Sequence, residues 1–112
     1  MHDTAEQILL DRWAASSSLL AVSAPAWAEF LCGPLRPGQA RAASDILGVP
    51  MPLDEPAAAL AADLFNHAGR RRGSLVDCMI AAVALRHGAA VATANRQDFE
   101  RFTAFGLSLA EA

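Results

Sequence analysis

The sequence predicts an α/β fold, with helices flanking a mostly parallel sheet. Two observations carry that prediction. Short apolar runs of strand length, at residues 19–22, 89–93 and 107–109, alternate with longer segments of helical periodicity. A length of 112 residues, 54% hydrophobic and 19% charged, suits one globular domain with a modest core. No internal repeat, low-complexity tract or linker divides residues 1–112.

The elements follow in order. Residues 4–15 place Ile8, Leu9 and Trp13 on one helical face, and Ser16-Ser17-Ser18 ends that helix. Residues 19–22 form a short buried strand. Ser23 then caps a helix that takes Pro25 in its first turn and stops near Cys32, before Gly33-Pro34. A helix over 38–47 is closed by Gly48. In the VPMPL segment the prolines favour a sheet edge or a bend over a central strand. Asp54-Glu55-Pro56 starts a strong helix that reaches about Ala68. After Gly69 and three arginines comes a helix over 75–87, closed by His87-Gly88. His87 suits the negative end of that helix and is not read as a ligand. A strand at 89–93, a short helix at 98–104 and a last strand at 107–109 complete the chain.

Composition excludes several classes. The net charge is -3, from nine arginines and no lysine, so nucleic-acid binding would need a local basic patch. One cluster qualifies, Arg70-Arg71-Arg72. Two cysteines, Cys32 and Cys78, are too few for a disulfide framework and read as reduced packing residues of a cytoplasmic protein. No Cys or His pair has zinc-ligand spacing. SLLAVSAPAWAEF imitates a signal peptide, but Asp3, Glu6 and Asp11 before it carry the wrong charge. No charge-free apolar run is long enough to span a bilayer. The phosphate-loop, dinucleotide, zincin and nucleophile-elbow motifs are all missing, and His2 and His67 read as surface residues.

Three acids then stand out. Ser74-x-x-Asp77 and Asn95-x-x-Asp98 each match a capping box, and each carboxylate would gain from a positive helix end. Taken singly, capping accounts for both. Glu29 lies among Trp27, Phe30 and Leu31, where an unpaired charge would be costly. Taken together, Glu29, Asp77 and Asp98 suit a hard cation such as Mg²⁺, which prefers carboxylate oxygens and retains several waters. In a parallel sheet, groups following strand ends gather at the carboxyl edge, where sites form. Such a cation lowers the pKa of water and stabilises in-line phosphoryl displacement. Thr93 and Asn95 would supply neutral hydrogen bonds, and the arginine run, otherwise a solvated connection, would position phosphate.

These residues also carry a family resemblance. SAPAWAEFLCGP, GRRRGSLVDCMIAAVALRHGAAVATANRQDFERF and GLSL closely resemble the PIN-domain nucleases, especially VapC-type toxins of toxin–antitoxin pairs. The pattern D-x-x-I-A-A-x-A followed by G-A-x-x-A-T-x-N-x-x-D-F is specific, and the likeness spans nearly the whole chain. It implies a PIN-like three-layer sandwich and an Mg²⁺- or Mn²⁺-dependent endoribonuclease acting on transfer or ribosomal RNA. It further implies an antitoxin protein as partner and a homodimer. By motif match Glu29, Asp77 and Asp98 are three acidic metal-site residues, with Thr93 and Asn95 as accessory polar positions.

The resemblance departs at the front. The family opens with a hydrophobic strand ending in an Asp-Thr/Ser-Asn/Ser turn, central in the sheet. MHDTAEQILLDRW instead resembles the helix after that strand, and Asp3 reads as an N-terminal cap. By ordinary element lengths, roughly 20 residues of strand and connection are expected to be missing. That absence would leave an open apolar groove with unpaired edges and a depleted metal site. It motivates a competing expectation, a catalytically inactive PIN-like module that binds an antitoxin or RNA. A gene fragment with no role of its own is the third.

Overall fold

In the computed structural model, residues 20–110 are described. The helix expected at 4–15, the start of the strand at 19–22, and His2 lie outside them. Five α-helices follow in order: α1 (Ala24–Cys32), α2 (Gln39–Leu47), α3 (Glu55–His67), α4 (Leu75–Arg86) and the short α5 (Arg96–Phe99). A 3₁₀ segment, Glu100–Phe105, continues from α5, so the helix expected at 98–104 starts earlier and winds more tightly.

Local chemistry sets the helix starts. Ser23 accepts a hydrogen bond from the Ala26 N–H at 3.2 Å, and Pro25 occupies the first turn of α1. Asp54 Oδ1 accepts from the Ala57 N–H at 3.0 Å and caps α3 in the same way. Each cap satisfies a donor with no partner inside its own helix. Asp54→Ala should therefore cost about 1 kcal/mol of stability. Urea unfolding checks this, and an unchanged midpoint would remove the cap from the account.

The core forms where α3 crosses α4. Ala57, Ala61 and Leu64 recur at helical spacing along one face of α3 and are buried. Facing them, α4 buries Cys78 and the run Ala81, Ala82, Val83 and Ala84, so it is enclosed on nearly all sides. Alanine at these positions lets the helix backbones approach closely. Val91, Phe99, Phe102 and Leu107 complete the cluster. Cys78 is a packing residue as expected, whereas Cys32 is exposed, because it ends α1, a helix with no fully buried residue.

The expected strands are reduced, among the described residues, to two isolated parallel bridges, Ser23 with Met51 and Val91 with Leu109. The first is limited by composition. Pro50 and Pro52 lack N–H groups, leaving Met51 to donate to Val22 O at 2.8 Å and accept from Ala24 N–H at 2.7 Å. In the second, Val91 N–H donates to Ser108 O at 2.9 Å and Val91 O accepts from Ala110 N–H at 2.8 Å. Strand alternation turns the backbone groups of Ala21, Ala90 and Ala92 the opposite way, and they have no backbone partner among the described residues. Between the two bridged pairs lies an apolar cleft of about 680 Å³, lined by Leu20, Val22, Met51, Ile80, Val83 and Val91 among others. No described helix is long and apolar enough to cross a membrane.

Candidate functional site

Asp77 and Asp98 reach one place from different elements. Asp77 lies in the first turn of α4, held by the buried face that carries Cys78 one residue later. Asp98 lies in α5, which the chain enters from the bridged Val91 through a polar turn. In that turn Thr93 Oγ1 accepts from the Asn95 N–H, and Asn95 O accepts from the Asp98 N–H, each at 3.0 Å. Thr93 and Asn95 thus shape the turn that delivers Asp98.

Neither acid behaves as the capping box predicts. The Ser74 hydroxyl makes no cap bond to α4 and instead donates to Arg71 O at 2.6 Å. Asp77 has no side-chain hydrogen bond among the described residues. Asn95 likewise makes no side-chain cap, and Asp98 Oδ1 takes Arg71 Nη2 at 3.4 Å. Ser74 takes a different local acceptor and Asp98 a tertiary partner in place of the caps.

The electrostatics tie the two acids together. Burial pushes the Asp77 carboxyl above its ordinary value of 3.8, and the Asp98 charge pushes it further. Arg101 and Arg71 pull in the opposite direction. A partly buried carboxylate whose charge is disfavoured by burial and by a neighbouring carboxylate offers, with that neighbour, a donor set that fits a divalent cation and its waters. Among the described residues no group of three or more His, Cys, Asp or Glu side chains gathers around a common point. Glu29 is exposed on α1, a helix with no fully buried residue, so its apolar sequence neighbours do not enclose it.

A raised carboxyl pKa means the folded chain holds the proton more tightly than the unfolded chain. Stability therefore falls as pH rises from 3.8 through the folded value, and the ionised form is a burden at neutral pH. Asp77→Asn should melt about 2–3 °C above the parent at neutral pH, the scale of one relieved like-charge contact. The gap should close as the pH approaches 3.8. Thermal melts across that range check it; a gap independent of pH would contradict the stated cause.

Arg101 belongs to the site and is absent from the residues singled out by motif. Its Nη1 donates to Asp98 O, and its guanidinium carbon lies 4.3 Å from the centroid of the Phe102 ring. Its Nη2 is buried without a hydrogen-bond partner among the described residues. The i,i+3 spacing from Asp98 on one helical turn is the signal that would have found it. Arg70 and Arg71 both make internal contacts, Arg70 with Asn66 on α3 and Arg71 with Asp98, whereas Arg72 is exposed. His87 Nδ1 lies 2.9 Å from Val83 O at the end of α4, in keeping with a structural role.

The site thus brings two acids together behind a parallel bridge and beside an arginine loop. The PIN-domain profile matches residues 2–104, and the chain belongs to the PIN-domain family. PIN domains are α/β folds, typically metal-dependent nucleases whose members bind RNA or DNA. No curated protein matches the chain.

Proposed function

We infer that this protein is a metal-dependent endoribonuclease of the VapC toxin type, hydrolysing RNA phosphodiesters at the Asp77–Asp98 pair. The observation that carries the reading is the convergence of those two carboxylates at the first turn of α4 and the turn after Val91. Asp77 and Asp98 would hold Mg²⁺ or Mn²⁺. A divalent cation so held lowers the pKa of water and neutralises charge on the phosphoryl oxygens. Thr93 and Asn95 keep Asp98 aimed, and Arg70, Arg71 and Arg72 offer guanidinium groups to the RNA backbone. Glu29, on α1, would act as a third acid once RNA and cation draw the elements together. The parallel sense of both bridges supports a three-layer sandwich with a mostly parallel sheet. An antitoxin partner, a homodimer and a cytoplasmic location complete the proposal.

The test is incubation of purified protein with a mixed pool of transfer and ribosomal RNA, with Mg²⁺, with Mn²⁺, or with chelator. Cleavage only with cation supports the reading. Absence of cleavage under every condition, in well-folded protein, overturns it. Glu29→Gln belongs in the same assay, because undiminished cleavage would remove Glu29 from the catalytic set.

A second reading has one specific observation in its favour. The cleft between the bridged pairs is apolar and flanked by backbone groups without partners among the described residues. It offers strand-addition hydrogen bonds to an extended segment of an antitoxin protein. In that reading the chain captures its partner and cuts nothing, so cation-dependent RNA cleavage would exclude it.

A further inference from the structure

The three consecutive arginines before α4 receive different fates. Arg70 takes a left-handed backbone at φ 51°, bonds Asn66 and lies 5.5 Å from the centre of the Phe65 ring. Arg72 is exposed, with no hydrogen bond or ion pair among the described residues. Of the three, only Arg71 reaches the acids, its Nη2 3.4 Å from Asp98 Oδ1.

That placement is anchored by the loop itself. Arg71 O accepts from Ser74 Oγ at 2.6 Å and from the Ser74 N–H at 3.1 Å. Ser74 is only 3% exposed, so the anchor is buried even though the arginine is not. On the other side Arg70 N–H donates to Phe65 O at 2.9 Å. Gly69 and Gly73 bracket the run at φ 95° and 79°, conformations that side-chain-bearing residues avoid. A merely solvated connection would need none of these ties.

We propose that Arg71 is an exchangeable counter-cation. It holds Asp98 while the acid pair is empty, yields that carboxylate oxygen to an entering divalent cation, and then donates to a phosphate of the RNA. This positioning role rests on the nuclease reading above. The side chains of Arg71 and Asp98 are 56% and 42% exposed, so their ion pair holds by only a few-fold and a doubly charged ion displaces it. The released guanidinium then lies beside the bound phosphate, which it can grip with two parallel N–H groups. Arg101 cannot exchange in this way, because it is tied to the Asp98 main chain and stacked on Phe102.

The test compares Arg71→Gln with Arg72→Gln, which removes the same charge from the same loop. Mn²⁺ affinity, read by electron paramagnetic resonance, should tighten about three-fold in R71Q and stay within roughly 1.5-fold in R72Q. Binding of a single-stranded RNA with Ca²⁺ present, read by anisotropy, should weaken in R71Q, its salt-dependence slope shrinking by about 0.7. Ser74→Ala, which frees the anchor without touching charge, should move Mn²⁺ affinity in the same direction as R71Q. Asp77→Asn sets the reference for the reading itself. If D77N loses Mn²⁺ that the parent binds, yet R71Q matches R72Q in Mn²⁺ affinity, the exchange is wrong and the metal site stands. If D77N binds Mn²⁺ as the parent does, both fall.

Discussion

Asp77→Asn should lower RNA cleavage at least about 100-fold while leaving the chain folded. The magnitude is a lower bound. Removing a group that merely orients a metal ligand costs about 10–100-fold, and Asp77 would be a ligand itself. Asn keeps the volume and one oxygen but removes the charge that attracts a divalent cation. The same change should raise the melting temperature, since the Asp77 charge is disfavoured by burial and by Asp98. Opposite movements of activity and stability are the signature of a group kept for function. A variant that lost both would point to a structural carboxylate instead.

Phe102→Ala should be the most damaging single change to the fold, at about 3–5 kcal/mol. The side chain is fully buried and meets Phe99 edge-on with ring centroids 6.1 Å apart. Arg101 lies over the Phe102 ring, and through Arg101 the ring supports the Asp98 main chain. Set against a total stability of about 5–15 kcal/mol, the loss would leave a marginal chain. Phe102→Leu, closer in volume, should cost less than about 1.5 kcal/mol. Urea unfolding of both variants checks the claim. Similar midpoints for F102A and the parent would mean that Phe102 does not belong to the core cluster packed on α4.

Features governed within a few residues were legible in the sequence. The cap at Ser23 depends on a donor three positions away and formed as expected, and Asp54 caps the helix that was expected to start there. The burial of α4 followed from its largely apolar composition. Features decided by a competing partner or by contacts outside any motif were not legible. Ser74 and Asp77 match a capping box, yet Arg71 claims the Ser74 hydroxyl and the second acid, Asp98, lies 21 residues away from Asp77 in the chain. Arg101 escaped notice because its role depends on Phe102 and the Asp98 carbonyl rather than on a motif. Glu29 looked enclosed by its sequence neighbours, but α1 buries none of its residues fully and leaves Glu29 exposed. Among the described residues, those expected to form extended strands pair through only two bridges, one of them limited by the prolines around Met51.

The central claim is that Asp77 and Asp98 share one divalent cation, and calorimetric titration of Mn²⁺ tests it most directly. The parent should bind Mn²⁺, and Asp77→Asn and Asp98→Asn should each abolish the heat of binding. Undiminished Mn²⁺ binding in either variant would contradict the shared site.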